Sequence, residues 1–251
     1  SLYESVGPIP EEFYSKNLVS IPANVHEVTS DLEKAVSNAD LVMVALPATA
    51  HKSILESMVP YLGKNEKVQY ILLNPGRTFG ALLARRIIDE QCPSPERVIP
   101  AEASTFVYTS RRFSENSAII LGVKDHVDIA AIPHTETSEL VKKIRKTIYP
   151  QFVKADEGVL YTTGNNIAVI FHAALMVVGA QTIMDRIRLR RKGFDIRTDY
   201  YTYMATNGFV VAELEAIDEE RIKIFEKLGI KVPSANEWLH ASYGSYGTTL
   251  K

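Results

Sequence analysis

Six consecutive apolar residues, Leu41-Val42-Met43-Val44-Ala45-Leu46, lie between Asp40 and Pro47. No polar residue interrupts them at a period of two, so a strand here has both faces covered, as in a parallel sheet. The pattern recurs. Val68 to Leu73 reads as a second buried strand, ending in the turn Asn74-Pro75-Gly76-Arg77. Val98-Ile99 starts a third, which runs into Ala101-Glu102-Ala103-Ser104-Thr105. Helical stretches alternate with these runs. Ser30-x-x-Glu33 is a capping box for a short helix ending near Ala39. Thr49 to Leu62, Phe79 to Gln91 and the amphipathic Thr137 to Tyr149 read as three more. Ser117 to Val123, Val127 to Ile132 and Phe152 to Lys154 are strand-like. Alternation over this length predicts an α/β fold, a Rossmann-like doubly wound parallel sheet.

The strand signal stops after Gly158, and an all-helical half follows. The expected domains are therefore residues 1–157 and 158–251. Residues 1 to 28 read as loop, with a short strand around Leu18 to Ile21. Asn165-Asn166 opens an apolar stretch to Met184, broken only by His172, Gln181 and Thr182. It lacks a polar face at helical period, which predicts a helix buried on most sides, and either asparagine can cap its first turn. A basic run, Arg186 to Lys192, and the tyrosine-rich Tyr200 to Tyr203 come next. A helix from about Gly208 to Leu228 closes at Gly229, a natural C-cap, with Asp218-Glu219-Glu220-Arg221 on a solvated side.

Composition excludes several classes. At 46% hydrophobic and 23% charged, the 251-residue chain is an ordinary globular one. A net charge of −2 gives no general affinity for nucleic acid or an acidic membrane. A single cysteine, Cys92, forbids an intramolecular disulfide, and no Cys/His cluster suggests a structural metal. With no signal peptide, the cytoplasm is expected. A homodimer is compatible with all of this.

Ligands of open α/β sheets bind beyond the carboxyl ends of the strands. Three strand ends carry special residues here: Pro47-Ala48, Asn74-Pro75-Gly76-Arg77, and Glu102 to Thr105. Each alone is an ordinary turn, but three in register before a helical domain predict an interdomain site. His172 has two readings. It is a core histidine satisfied by a carbonyl, the commoner outcome for its residue type, or a general acid or base that titrates near neutrality.

The chain resembles the octopine/nopaline (opine) dehydrogenase family. The resemblance rests on Val44-Ala45-Leu46-Pro47-Ala48-Thr49-Ala50-His51, Leu73-Asn74-Pro75-Gly76-Arg77, Ala101-Glu102 with Tyr108-x-x-Arg111, and Asn165-Asn166 with His172. It extends to Ala216-Ile217-Asp218-Glu219-Glu220-Arg221 and to Glu237-Trp238-Leu239 with Tyr243-Gly244. It implies reductive condensation of a 2-oxo acid with the amine of an amino acid, hydride coming from NAD or NADP. His172 then matches the catalytic histidine. Pro47, Ala48, Asn74 and Glu102 match the cofactor cleft, and Thr105, Arg111 and Asn165 the substrate side, Arg111 as a bidentate partner for a carboxylate. The sequence departs from the family twice. It lacks the opening strand and G-x-G-x-x-G turn that cradle the pyrophosphate, and it lacks a later Arg and Asp motif. The chain thus reads as incomplete at both ends relative to that family. Two other readings stay open: a hydroxy-acid reductase of the 6-phosphogluconate or ketopantoate type, and a cofactor-less binding module.

Overall fold

The computed structural model of the protein describes residues 25–64, 66–115, 117–174, 176, 188, 191–192 and 208–244. The described chain divides into two compact units. One comprises Thr29–Ile167 with Arg221–Lys251, and the other takes in Ala168–Glu220. The boundary expected at 157/158 falls inside the first unit, because the helix that follows it packs on sheet strands.

The first unit is built on a five-stranded sheet. Its strands are β1 (Leu41–Val44), β2 (Gln69–Leu73), β3 (Val98–Ala103), β6 (Val127–Ala131) and β7 (Phe152–Lys154), in that spatial order. β1, β2 and β3 pair in parallel, as do β6 and β7, but β3 and β6 are antiparallel. The sheet is therefore mixed where an all-parallel one was expected. The cause is a hairpin inserted between β3 and β6, β4 (Tyr108–Ser114) with β5 (Ser117–Val123), which turns the chain round. The sequence reading missed β4, because its polar residues Thr109, Ser110, Arg111 and Arg112 mask the strand pattern.

Alternate side chains of each strand leave the sheet on opposite faces. On one face Val44, Ile71, Leu73 and Val98 meet α2 (His51–Met58) and α3 (Gly80–Gln91) through Leu55, Met58, Ala84, Ile87 and Ile88. On the other, Tyr70, Leu72, Ala101, Ile129 and Phe152 meet α4 (Thr137–Thr147) through Leu140, Val141 and Ile144. The sheet is thus covered on both sides, which is why β2 and β3 are buried at every position. The short helix α1 (Leu32–Val36) is capped by Asp31, whose side chain accepts from the Lys34 amide at 3.0 Å, and not by Ser30 as expected. The aspartate is one residue closer to the free amides.

Three more helices complete this unit or run into it: α5 (Val159–Gly164), α6 (Gly208–Lys227) and α7 (Ala235–Tyr243). Residues of α6 from Arg221 on belong to it. Arg221 donates to the carbonyls of Gly164 and Pro233, and the Phe225 ring fills the space where a Gly164 side chain would lie. α7 has a full capping box between Ser234 and Glu237.

In the other unit, residues 168–174 are helical, and Ala174 packs with Val210, Leu214 and Ile217 of α6. Ile170 and Ala174 are buried, whereas Val169, His172 and Met176 are exposed. The expected burial on most sides does not hold for this segment: a stripe at helical spacing is open, though two of its three residues are apolar. Asp218 is buried rather than solvated. The expected strand at Leu18 to Ile21, the residues Gln181, Thr182 and Tyr200 to Tyr203, and most of the basic run lie outside the described residues.

Candidate active site

Glu102, the penultimate residue of β3, is fully buried. Its Oε2 accepts from the Ala81 amide at 2.7 Å, in the first turn of α3. Its Oε1 accepts from the Thr162 and Thr163 hydroxyls of α5, at 2.6 and 3.2 Å. One carboxylate thus joins a strand to the N-terminus of one helix, where negative charge is favoured, and to a second helix. Burial pushes its carboxyl above the usual carboxylate range, and the four donors around it pull the other way.

The turn from β2 to α3 is shaped by this carboxylate. A side chain on Gly76 would put its Cβ 2.2 Å from Glu102 Cβ, so only glycine fits. The Gly76 amide donates to the Ala103 carbonyl at 3.0 Å. Two non-glycine residues follow in the left-handed region, Arg77 at φ 62° and Phe79 at φ 57°. Each such residue costs on the order of 1 kcal/mol and persists only where its surroundings hold it. Here the Phe79 amide donates to Thr163 Oγ1 at 3.0 Å, and the Arg77 guanidinium donates to Asn166 Oδ1 at 3.3 Å. Strain held in place at a strand's carboxyl end marks a loop whose shape is used.

Most of the buried side-chain polar atoms without a partner among the described residues lie at these strand ends or just after α5. Four of the six lie here, Asn74 Oδ1 after β2, Ser104 Oγ after β3, and Asn165 Oδ1 and Asn166 Nδ2 after α5; Arg85 Nε and Gln151 Oε1 lie elsewhere. Such atoms cost free energy unless something satisfies them. Asn74 Nδ2 is engaged by Met43 Sδ at 3.4 Å. A cleft of about 140 Å³ opens beside Asn74, lined also by Phe106, Val107, Tyr108, Ser110 and Tyr149.

Because β6 runs against β3, it begins where β3 ends, and the Ser104 amide donates to the Asp128 carbonyl at 2.9 Å. The buried Asp128 carboxylate accepts from Asn165 Nδ2 at 2.6 Å and pairs with His126 Nε2 at 2.7 Å. That contact raises the His126 pKa. Both asparagines expected to cap the next helix are instead engaged by Asp128 and Arg77. His51 is buried with Nε2 on the Leu46 carbonyl at 3.1 Å, and burial foremost lowers its pKa, favouring the neutral ring.

The structure therefore gathers Asn74, Glu102 and Asn165 in one unit. Thr105 is half-buried in the loop after β3, and Pro47 and Ala48 are exposed beyond β1. Arg111 lies on β4 opposite Ile119; its side chain is outside the described residues. His172 lies in the other unit, exposed between Val169 and Met176. Arg77 was legible only as part of the turn after β2, and Lys124, His126 and Asp128 were not singled out from the sequence. Only the strand reversal brings the last three to the carboxyl end of β3, and no local pattern announces a reversal. No group of three His, Cys, Asp or Glu among the described residues could hold a metal ion, and no described helix is long and apolar enough to cross a membrane.

Residues 155–251 match the family of the NAD/NADP octopine/nopaline dehydrogenase alpha-helical domain. The chain is 31% identical over 224 residues to an opine dehydrogenase of Arthrobacter sp. (strain 1C), covering 89% of this chain and 57% of that protein. Both matches support the opine dehydrogenase family for this chain. The chain spans little more than half the length of that relative. Among solved structures, octopine dehydrogenase with NADH and L-arginine shares its fold at a TM-score of 0.62 and 18% identity, over 89% of this chain and 54% of the other. Yersinopine dehydrogenase without ligand does so at 0.62 and 14%, over 83% and 48%. Both likenesses speak for the α/β architecture with its helical domain.

Proposed function

We propose that the protein is an NAD(P)H-dependent opine dehydrogenase that condenses a 2-oxo acid with the amine of an amino acid and reduces the product. The observation that carries this is the 31% identity to an opine dehydrogenase over 224 residues, a stretch long enough to include the strand ends. The amine adds to the keto carbon and water leaves, giving an imine. Bound NAD(P)H would supply hydride to the imine carbon, and a proton completes the secondary amine. His172 is the group proposed to give that proton, since imidazole titrates in the range such transfer needs. Its exposed place among apolar neighbours suits a residue that must meet a substrate.

The residues at the strand ends fit a nicotinamide cofactor. Asn74 Oδ1 and Asn166 Nδ2 are an unused acceptor and an unused donor, the two groups a carboxamide needs. Pro47 and Ala48 offer an exposed apolar edge beside them in the chain order of the sheet. Glu102 is proposed to act indirectly, holding the β2–α3 turn and so Asn74. Thr105, Arg111 and Asn165 remain candidates for the substrate side.

The test follows the absorbance of the reduced nicotinamide with a panel of 2-oxo acids and amino acids. Oxidation should require both substrates together. Equal rates without any amine would reject the opine reading and favour a hydroxy-acid reductase.

A further inference from the structure

Lys124, the residue after β5, is buried at 4% exposure. Its Nζ donates to the Phe106 carbonyl at 2.8 Å and lies 5.3 Å from the centre of the Tyr243 ring. Arg77 is half-buried on its strained turn and has the Asn166 amide oxygen as its hydrogen-bond partner. No ion pair among the described residues includes either one. The two cations are close enough to repel, and this repulsion adds to burial in lowering the Lys124 pKa to about 8.

A buried cation without an anion is costly, and two that repel one another are costlier. The buried carboxylates at the strand ends are already engaged, Glu102 by α3 and α5, and Asp128 by His126 and Asn165. An arrangement of this kind is relieved by an external anion. A cleft lies beside both residues, lined by their neighbours and not by Arg77 or Lys124 themselves. Asn74, three residues before Arg77, and Phe106, whose carbonyl holds Lys124, line the same cleft of about 140 Å³. That volume admits a small acid.

We infer that Arg77 and Lys124 together form a binding site for one carboxylate, that of the 2-oxo acid, with Lys124 as the residue that selects for it. The inference rests on the proposed function for the identity of the acid, but the anion site itself stands on two cations that no described carboxylate pairs. Arg77 supplies a planar fork for the two oxygens, and Lys124 a point charge from the side of the hairpin. Tyr243 closes over the ammonium, and its hydroxyl is fixed to Thr109 Oγ1 at 2.7 Å.

The single tryptophan of the chain reports on this place, because the Trp238 ring lies 6.1 Å from that of Tyr243. The experiment is an equilibrium titration of its fluorescence with pyruvate and with oxalate, and separately with inorganic pyrophosphate. Both carboxylates should bind the unaltered protein. Lys124→Met and Arg77→Met should each weaken them at least tenfold, and Lys124→Arg should restore most of the loss, with NADH affinity unchanged in the two Lys124 variants. Equal carboxylate affinity in a folded Lys124→Met variant would overturn the inference. So would tight pyrophosphate binding lost in the same variant, which would give the site to a phosphate group. Should Lys124→Met fail to fold, the unaltered protein decides. Its oxalate affinity should fall about tenfold per pH unit above pH 8, and a flat profile from pH 7 to 10 counts against the site. Carboxylate binding that depends on Lys124 in a protein making no opine would retain the site and discard the proposed reaction.

Discussion

Glu102 Oε2 lies 2.7 Å from the Ala81 amide, so the end of β3 serves as the cap of α3. The helix has no side-chain cap of its own, since Phe79 at its N-cap has no acceptor to offer. The strand supplies what the helix sequence lacks.

The pH dependence of stability should reveal this buried carboxyl. Its folded pKa is raised above the unfolded value, burial being the main cause. The folded state therefore holds a proton that the unfolded chain has lost, and stability falls as pH rises from the ordinary carboxylate range through the folded pKa. Urea denaturation of the unaltered protein should show that decline, and Glu102→Gln should lack its share of it. An identical pH slope in both would place the proton elsewhere.

Gly76→Ala sets a Cβ 2.2 Å from Glu102 Cβ, and both are backbone-fixed. Overpacking of this kind costs about 1–3 kcal/mol. The midpoint of urea unfolding should drop accordingly, together with NADH affinity, since the turn carries Asn74. A midpoint equal to that of the unaltered protein would mean that the turn relaxes freely.

Lys124 should be a liability for stability. Its folded pKa, about 8, is depressed below its ordinary value of 10.5, so the buried ammonium opposes folding at neutral pH and ceases to do so as pH rises past both values. Lys124→Met should therefore gain up to about 3 kcal/mol near pH 7, by the usual conversion of a pKa shift. The gain should shrink as pH rises from about 8 to 10.5 and be nearly gone above that. A destabilised variant at pH 7 would show that the lysine stem, not its charge, governs the site.

His172→Asn in the proposed reaction should lower turnover by roughly 10²- to 10⁴-fold, the scale of a general acid. NADH binding should persist. Near-normal turnover in a folded variant would remove His172 from the chemistry.

Much of the α/β frame was legible in the chain itself. The runs at Leu41 and Val68 are continuous because helices cover both faces of the sheet, and burial on both sides leaves that mark on any sequence. Asn74 and Glu102 were legible as strand-end residues for the same reason: their strands announce where they stop. β4 was not, since its Thr109 to Arg112 alternate no core face. With β4 hidden, the reversal of β6 was hidden too, and so was the meeting of Asp128 with Asn165, 37 positions apart. The apolar stretch after Asn166 read as buried throughout, yet Val169, His172 and Met176 are open on one stripe. Hydrophobicity tells that a residue prefers cover, not that cover is present. Local pattern determined the strands, the helices and the residues at their ends, because those depend on the period of the side chains. Tertiary structure alone decided that Glu102 caps α3, that Asp128 holds Asn165, and that Arg77 and Lys124 share a field to which no described residue supplies an anion. Each of those depends on strand direction and on burial, and neither is written in any short stretch of the chain.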